Sequence, residues 1–288
     1  MTKAKQREAS ESWDLVITPK KGWFDIDIAG VWRYRDLVFL LFKRDFVAFY
    51  KQTILGPLWY VIQPMLTTLA FFFIFYRVAK IPTDGIPPFL FYMSGVIVWN
   101  FFATCMSKTS DTFVSNSGIF GKVYFPRLVV PVAVVLSNLL TFVIQLALLF
   151  VLMGYFWVRG AHFGVGVGLA LVPLLVVYVG LLGLGTGNIV SSLTTRYRDL
   201  AYVVGFATQL WMYATPVVYP LAQIPAHWQW IYMFNPMAAV VESFRYLLLG
   251  TGTVTGALWG GSIAFTTALV ALGLVLFSRT EKISMDTV

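Results

Sequence analysis

Long apolar stretches alternate with short polar ones along this chain, and their lengths predict membrane spans. Residues 85–107 and 128–158, for example, contain no Lys, Arg, Asp or Glu. The hydrocarbon core of a bilayer is about 30 Å thick, so a helix needs about 20 largely apolar residues to cross it. The pattern predicts six spans, at residues 58–76, 88–107, 129–156, 164–193, 201–218 and 257–277.

Composition points to the same class of protein. Hydrophobic residues make up 58% of the chain and charged residues 12%, whereas soluble domains carry about 25% charged residues. We therefore expect an all-α integral membrane protein without a large soluble domain. Its predicted parts are an amino-terminal cytoplasmic segment, a six-span domain and a cytoplasmic tail, at residues 1–54, 55–277 and 278–288.

Residues 30–51, before the first predicted span, have the pattern of an amphipathic helix. At 100° per residue most of the charged side chains fall on about a third of the circumference, and most aromatic and aliphatic ones face elsewhere. Such a helix lies in the plane of the membrane interface. Arg35 and Asp45 depart from the pattern, which suggests partners elsewhere in the protein. Upstream, residues 13–28 predict a small hairpin of two short strands.

The polar segment 111–127 separates the second and third predicted spans. It contains Asp111, Lys122 and Arg127, together with more apolar side chains than a soluble loop needs. These features predict a short helix at the membrane surface that is offered to a cytoplasmic partner. The alternative is an ordinary loop with an interfacial aromatic anchor. The apolar side chains are Ile119, Phe120, Val123, Tyr124 and Phe125.

Residues 227–249 are apolar but do not have the pattern of a plain span. Asn235 and Pro236 divide the stretch into two pieces that are too short to cross a bilayer. We predict an external re-entrant or interfacial helical hairpin, packed against protein so that its broken backbone is satisfied. Glu242 and Arg245 lie on one helical face. They form either a local ion pair or, alternatively, part of an external gate.

Small and polar residues within the spans predict contacts between helices. Gly180, Gly183 and Gly187 recur at three- and four-residue spacing, which is typical of a close-packing face. Asn138 and Gln145 lie seven residues apart on one helical face. Polar side chains in a span usually point at protein or water rather than lipid, so we expect them to form helix–helix hydrogen bonds.

The basic residues fix the predicted orientation. Ten Lys and Arg precede the first span, three lie between 107 and 127, two between 194 and 200 and two in the tail, so seventeen of 21 fall on one side. The positive-inside rule places that side, with both termini, in the cytoplasm. The net charge of +8 is therefore explained by topology rather than by nucleic-acid binding.

The sequence shows few residues in patterns that are typical of catalytic or nucleotide-binding sites. The run from Gly118 to Val123 lacks the spacing and the hydroxyl of a phosphate-binding loop, which requires G-x-x-x-x-G-K-[ST]. The predicted spans contain no carboxylate of the kind that drives proton- or sodium-coupled transport. We therefore expect no metal or cofactor in this chain, and we expect the energy for any transport to come from a partner.

Aromatic residues make up 17% of the chain. Many belong to interfacial belts, but a subset lining a pore would suit a long glycan, whose sugar rings have flat apolar faces. The candidate pore residues are Trp59, Tyr60, Phe72, Tyr202, Trp211 and Tyr213.

Six collinear motifs, spread over nearly the whole chain, resemble the membrane subunits of ABC-2 type polysaccharide exporters, the permeases for O-antigen, capsule and teichoic acid. The opening WDLVITP is most similar to the O-antigen type. The motifs are VWRYRDL at 31–37, RD and YKQTILGPLW at 44–59, KVYFPR at 122–127, RYRD at 196–199, TP and YP at 215–220, and NP with Glu242 and Arg245 at 235–245.

The resemblance implies a homodimer with two copies of a separate P-loop ATPase, which binds ATP and Mg. This chain would be a transport subunit in the bacterial inner membrane, moving an undecaprenyl-diphosphate-linked glycan outward. Asn235, Pro236, Glu242 and Arg245 would form an external gate. Arg33, Arg35, Lys43 and Arg44 would attract the diphosphate at the entrance, or else bind anionic lipid. The implied ATPase-coupling residues are Asp111, Ser117, Ile119, Phe120, Lys122, Tyr124, Phe125 and Arg127.

Three other functions remain as alternatives, and each disagrees with one feature of the sequence. An ABC-2 efflux subunit for a small lipid or drug would lack the WDLVITP opening. A membrane-embedded transferase acting on lipid-linked sugars would need more carboxylates and histidines than this chain carries. A channel would show a repeated polar filter, and none is visible.

Overall fold

A computed structural model describes residues 28–52, 54–120, 122–123, 125–164, 167–197 and 199–286. Within these ranges the protein is helical and has no strand, as the sequence predicts. The predicted strand hairpin lies outside the described residues except for Ile28, as do Gly121, Tyr124 and Arg198.

Twelve α-helices follow one another in these ranges. They are α1 Ile28–Arg33, α2 Arg35–Gln52, α3 Trp59–Phe71, α4 Pro88–Ser110, α5 Thr112–Ser115, α6 Ser117–Phe120, α7 Val129–Val158, α8 Val172–Thr194, α9 Leu200–Tyr213, α10 Ala226–Gln229, α11 Pro236–Leu249 and α12 Gly256–Asp286.

Short 3₁₀ or π segments connect several of these helices. A π-helix, Phe72–Val78, continues α3. The 3₁₀ segments are Gly56–Leu58, Val167–Leu171, Leu221–Gln223 and Trp230–Phe234.

Five helical stretches are long and apolar enough to cross a membrane. They are Gly56–Val78, Pro88–Ser110, Val129–Val158, Gly168–Thr194 and Gly256–Glu281. These confirm five of the six predicted spans. The remaining one, 201–218, corresponds to α9, which has 14 residues and is about 21 Å long at 1.5 Å per residue. The sixth span therefore stays a prediction.

Two predicted elements have a different helical extent in the structure. The helix expected at 30–51 is interrupted by a turn at Tyr34, which separates α1 from α2. The polar tail expected from residue 278 instead continues α12 to Asp286. Residues 278–286 contain no Gly or Pro that would end a helix, and Ser278 and Glu281 are buried against the rest of the protein.

Helix α4 is the centre of the bundle. Of its spanning window 78% is buried, against 17% to 39% for the other four candidate spans. The predicted glycine face of α8 packs closely, mainly against α4. A Cβ at Gly183 would lie 2.7 Å from Cys105 Cβ, and one at Gly187 would lie 2.5 Å from Thr109 Cβ. Gly180 instead faces Val135 of α7.

Asn138 makes the predicted hydrogen bond between helices. The ammonium group of Lys108 on α4 donates to Asn138 Oδ1 on α7 at 3.2 Å. Gln145, which lies seven residues further along the same face of α7, is also buried. Both of these polar side chains are thus enclosed by protein.

The two ends of the bundle differ in composition. At the first, which we call the basic end, Val38 and Leu41 of α2 pack with Phe125 and with Val129 and Val130 at the start of α7. The end of α12 is also there, since Phe277 packs with Phe113 and Leu128. The opposite end carries residues 214–235 and the start of α11.

Candidate functional site

At the basic end, residues 111–127 contain two short helices, and the predicted position of this segment at the membrane surface stays a prediction. Helices α5 and α6 each span four residues and are separated at Asn116. The Asn116 side chain donates to the carbonyl of Thr112 at 3.0 Å, and the Ser117 hydroxyl donates to the carbonyl of Val114 at 3.1 Å. These local bonds compete with continuous helix and stabilise the break.

The side chains of this segment divide into an inner and an outer set. Phe113 and Phe125 are buried, and Phe120 is half-buried with its ring 6.1 Å from Phe113 and 5.7 Å from Phe125. Phe120 and Phe125 therefore belong to the inner set and do not lie on the outer surface.

The outer set combines apolar and polar side chains. Its apolar members are Val114, Ile119 and Val123, which are 50%, 38% and 59% exposed. Asp111, Ser117 and Lys122 are exposed beside them. Burial raises the pKa of the Asp111 carboxyl from its ordinary value. We call this outer surface the docking face.

Arg127 lies beneath the docking face instead of on it. It is 6% exposed, and its guanidinium lies over the rings of Phe120 and Phe113, 5.0 and 5.8 Å from the centroids. Its backbone N–H donates to Glu281 Oε1 of α12 at 3.2 Å. Burial lowers the pKa of the guanidinium, and the Glu281 carboxylate opposes part of that change.

Beside the docking face a polar cavity of about 420 Å³ opens between α2, α4 and the start of α7. Its lining includes Arg44, Asp45, Lys108, Asp111 and Asn116. Asp45 is paired with its neighbour Arg44 at 2.9 Å. The departure of Asp45 from the amphipathic pattern thus reflects a local ion pair, not the distant partner that we expected.

The other predicted entrance residues face outward from α1 and α2. Arg33, Arg35 and Lys43 are all exposed. Arg35 borders an apolar groove of about 550 Å³ that α1 and α2 form with α7, and Phe39 and Phe42 also line it. The structure therefore brings Arg44 into the polar cavity and leaves the remaining three on the outside of the helix.

At the opposite end Asn235 lies at the start of α11, within the segment 227–249 that we predicted to be a hairpin, and the hairpin topology stays a prediction. The side-chain oxygen of Asn235 caps α11 by accepting from the backbone N–H of Met237 at 3.2 Å, and it also accepts from Trp211 Nε1 at 3.0 Å. Its amide donates to the carbonyl of Ala214 and to the Thr215 hydroxyl. Pro236 occupies the first turn of α11, where a backbone N–H would have no acceptor within the helix, so its absence in proline costs no hydrogen bond.

Glu242 and Arg245 form the predicted ion pair, and both are buried. Arg245 Nη1 lies 3.5 Å from Glu242 Oε1, with the side chains 1% and 2% exposed. Arg245 also donates to the carbonyls of Pro216 and Val217 at 2.6 and 2.5 Å. Glu242 in turn accepts from the backbone N–H of Thr253 at 2.7 Å. The pair thus ties α11 to two loops, and its role in a gate stays a prediction.

The candidate pore aromatics do not share one environment. Trp211 is half-buried, with its ring 5.0 Å from Phe102 and 6.2 Å from Trp99. Tyr202 is 85% exposed, Trp59 and Tyr213 are also exposed, and Tyr60 and Phe72 are half-buried. An apolar cavity of about 700 Å³ lies beside Trp211 and includes Trp228, Tyr232 and Phe234 in its lining.

Sequence reasoning missed Phe113, Phe277 and Glu281. Phe113 lies within the recognised segment but carries no charge that would single it out. The sequence pattern places Phe277 at the end of the last predicted span and Glu281 in the predicted polar tail. Phe277 and Glu281 are distinguished only by their contacts in the folded structure, with Phe113 and Arg127 respectively.

Comparison with known proteins identifies the family. Residues 36–249 match the ABC-2 type transporter family. The chain belongs to that family.

Several relatives of this chain are named as export or transport proteins. An O-antigen export system permease protein RfbA from Klebsiella pneumoniae is 28% identical over 255 residues, which cover 85% of this chain and 92% of the relative. A protein of the same name from Myxococcus xanthus is 31% identical, with 76% and 82% covered. The polysialic acid transport protein KpsM of Escherichia coli is 25% identical, with 84% and 92% covered.

Proposed function

We propose that this chain is the permease subunit of an ATP-driven ABC exporter that moves a lipid-linked polysaccharide, of the O-antigen type, outward across the bacterial inner membrane. The observation that carries the proposal is the docking face. Val114, Ile119 and Val123 expose apolar surface on a short segment at the basic end, where the positive-inside rule places the cytoplasm. The names of the relatives support the class of cargo.

The energy source is a separate P-loop ATPase, present in two copies, which binds ATP and Mg. The docking face contributes apolar side chains of the kind that fill a groove on a partner. Beneath it, Phe113, Phe120 and Phe125 anchor the segment to the membrane domain. An anchored, shallow apolar surface suits a contact that must transmit force as well as bind.

The transporter is a homodimer of this chain. Helix α9 has no buried residue, and Tyr202, Phe206 and Leu210, spaced four residues apart, are 85%, 64% and 52% exposed. In the dimer α9 lies against the second copy or lines the path between the copies. Together with the turns at 214–219 it forms the sixth span, which places both termini in the cytoplasm.

The cargo is an undecaprenyl-diphosphate-linked glycan. Arg33, Arg35, Lys43 and Arg44 supply positive charge for its diphosphate near the entrance. Aromatic side chains along the path offer faces on which sugar rings slide. The hairpin with Asn235, Pro236, Glu242 and Arg245 is the external gate, held in shape by the buried ion pair.

Substitution of the docking face tests the partner directly. Ile119→Asp and Val123→Asp place a charge on exposed apolar surface, so we expect the ATPase to be lost from the complex purified in mild detergent, with this chain still in the membrane. Val78→Asp is the matched control, since Val78 is 78% exposed at the end of the π-helix that continues α3. Retention of a full complement of ATPase by both docking variants would overturn the docking assignment.

Depletion of the chain in its native host tests the cargo. If the chain exports polysaccharide, its depletion should make lipid-linked polymer accumulate inside the cell while surface polysaccharide disappears. Normal surface polysaccharide in the depleted cells would contradict the polysaccharide cargo. In that case efflux of a small lipid or drug would be the function to examine.

A further inference from the structure

The docking segment is fastened to the end of the last helix by a compact cluster, which we call the clamp. It consists of Phe113, Phe120, Arg127, Phe277 and Glu281. The rings of Phe113 and Phe277 lie 4.7 Å apart, and Phe277 is fully buried. The clamp thus joins residues that are more than 150 positions apart in the chain.

Arg127 and Glu281 contribute the polar part of the clamp. The guanidinium covers the rings of Phe113 and Phe120, and the Glu281 carboxylate accepts from the Arg127 backbone N–H. Both residues are buried, at 6% and 5% exposure. Burying charged groups costs free energy unless they are paired and hydrogen-bonded. The ring contacts of the guanidinium and the hydrogen bond of the Arg127 backbone connect residues 113–120, Arg127 and the end of α12.

Helix α12 extends from the clamp to the opposite end of the molecule. It has 31 residues, which corresponds to about 46 Å. Near its start, Trp259 Nε1 donates to the Ser243 hydroxyl of α11 at 2.8 Å, and the Ser262 hydroxyl donates to the Pro236 carbonyl at 3.2 Å. Gly261 also packs directly against the backbone of Met233. One helix thus touches the docking segment at one end and the hairpin at the other.

We propose that Arg127 and Glu281 are positioning residues for transport, which couple displacement of the docking segment to movement of α12 and thereby of the hairpin. This inference rests on the proposed function, because it assumes that an ATPase moves the docking face. It adds a specific route. Helix α4 is also joined to the segment, but its dense burial at the bundle centre favours the more exposed α12 as the element that shifts.

Glu281→Gln tests the clamp in the complete complex, because it removes the charge with little change in shape. The ATPase should still co-purify in full amount and ATP hydrolysis should stay within about twofold, while surface polysaccharide falls about fivefold or more, the lower range of allosteric coupling. Asp199→Asn is the control: Asp199 is an exposed carboxylate next to α9, and its variant should export normally.

The outcomes separate this inference from the proposed function. If no ATPase co-purifies with the unaltered chain, the proposed function itself is refuted. Full export by Glu281→Gln, with the ATPase bound, would refute only the clamp. A parallel loss of ATPase and export in Glu281→Gln would also count against it, because the clamp acts after docking.

Chemical restoration of the clamp gives a readout that a merely structural role would not produce. Phe113→Cys and Phe277→Cys are combined with Glu281→Gln in a Cys105→Ala background, since Cys105 is the only cysteine. A short bifunctional thiol reagent should then raise export severalfold by refastening the segment to α12. Cross-linked complexes that bind ATPase but show no gain in export would overturn the proposal.

Discussion

At the scale of single residues, burial decides what the charged side chains can do. Arg245 reads in the sequence as an external charge, yet it is 1% exposed. Its guanidinium donates to the Pro216 and Val217 carbonyls and lies 3.6 Å from the centroid of the Phe91 ring. A planar group with several donors and a stacking face fits this environment in a way that lysine does not. Arg245 thus has a structural role, which is to hold α11 against Pro216 and Val217.

Replacement of Arg245 should therefore destabilise the protein strongly. Arg245→Met leaves Glu242 buried without its partner, and breaking a buried pair costs about 3–5 kcal/mol. We expect a marked fall in the thermal unfolding midpoint in detergent and in membrane abundance. Arg159→Met, which alters an exposed arginine, should leave both unchanged. Equal midpoints for the two variants would show that the buried pair contributes little.

At the scale of helices, close approach of α4 and α8 builds the centre of the bundle. Within a membrane this approach depends on small residues, because lipid gives helices no hydrophobic reason to associate. At Gly187 an added Cβ would meet both Thr109 Cβ at 2.5 Å and the Met106 carbonyl at 2.8 Å. Neither backbone nor a β-branched side chain in a buried helix can move aside easily.

Gly187→Leu should separate α4 from α8. The side chain has no space, and overpacking of a dense core costs about 1–3 kcal/mol or more. We expect lower abundance and increased sensitivity to protease in isolated membranes. Gly154→Leu on α7 is the matched control, because nothing lies within 4 Å of a Cβ at Gly154. If the two variants resist protease equally, the glycine face does not hold these helices together.

At the scale of the whole molecule, the rest of the chain encloses α9 and α4 to very different degrees. Helix α9 is shorter than the bilayer core and has no buried residue, whereas α4 is largely enclosed. Apolar aromatic surface of this kind on a helix faces lipid or another protein. The proposed homodimer gives α9 a protein partner and makes the path for the cargo a property of two chains.

Single cysteines along α9 should cross-link between copies in native membranes. In a Cys105→Ala background, cysteine in place of Tyr202, Phe206 or Leu210 is expected to give a covalent dimer with a short thiol reagent, because these positions share one face. Val177→Cys on α8, which is 59% exposed, serves as the control. Dimers of equal yield at all four positions would reflect random collision and would contradict an α9 interface.

The sequence by itself determined the class, five of the spans and part of the local chemistry of this protein. The lengths of apolar stretches predicted five spans that the structure confirms, since bilayer thickness sets helix length. Asn235-Pro236 predicted the start of α11 because the pair acts on its own backbone. The three-residue spacing predicted contact between Glu242 and Arg245 for the same local reason. Six motifs predicted the family.

Tertiary structure alone decided which side of each element is used. Nothing local distinguishes Phe120, which lies on the inner side, from Ile119 on the docking face, because the choice depends on Phe113 and Phe125. Arg127 and Glu281 meet across 154 positions, and periodicity carries no information about such distant contacts. The extension of α12 beyond its predicted span involves contacts of the same kind, since Ser278 and Glu281 are buried against distant parts of the chain.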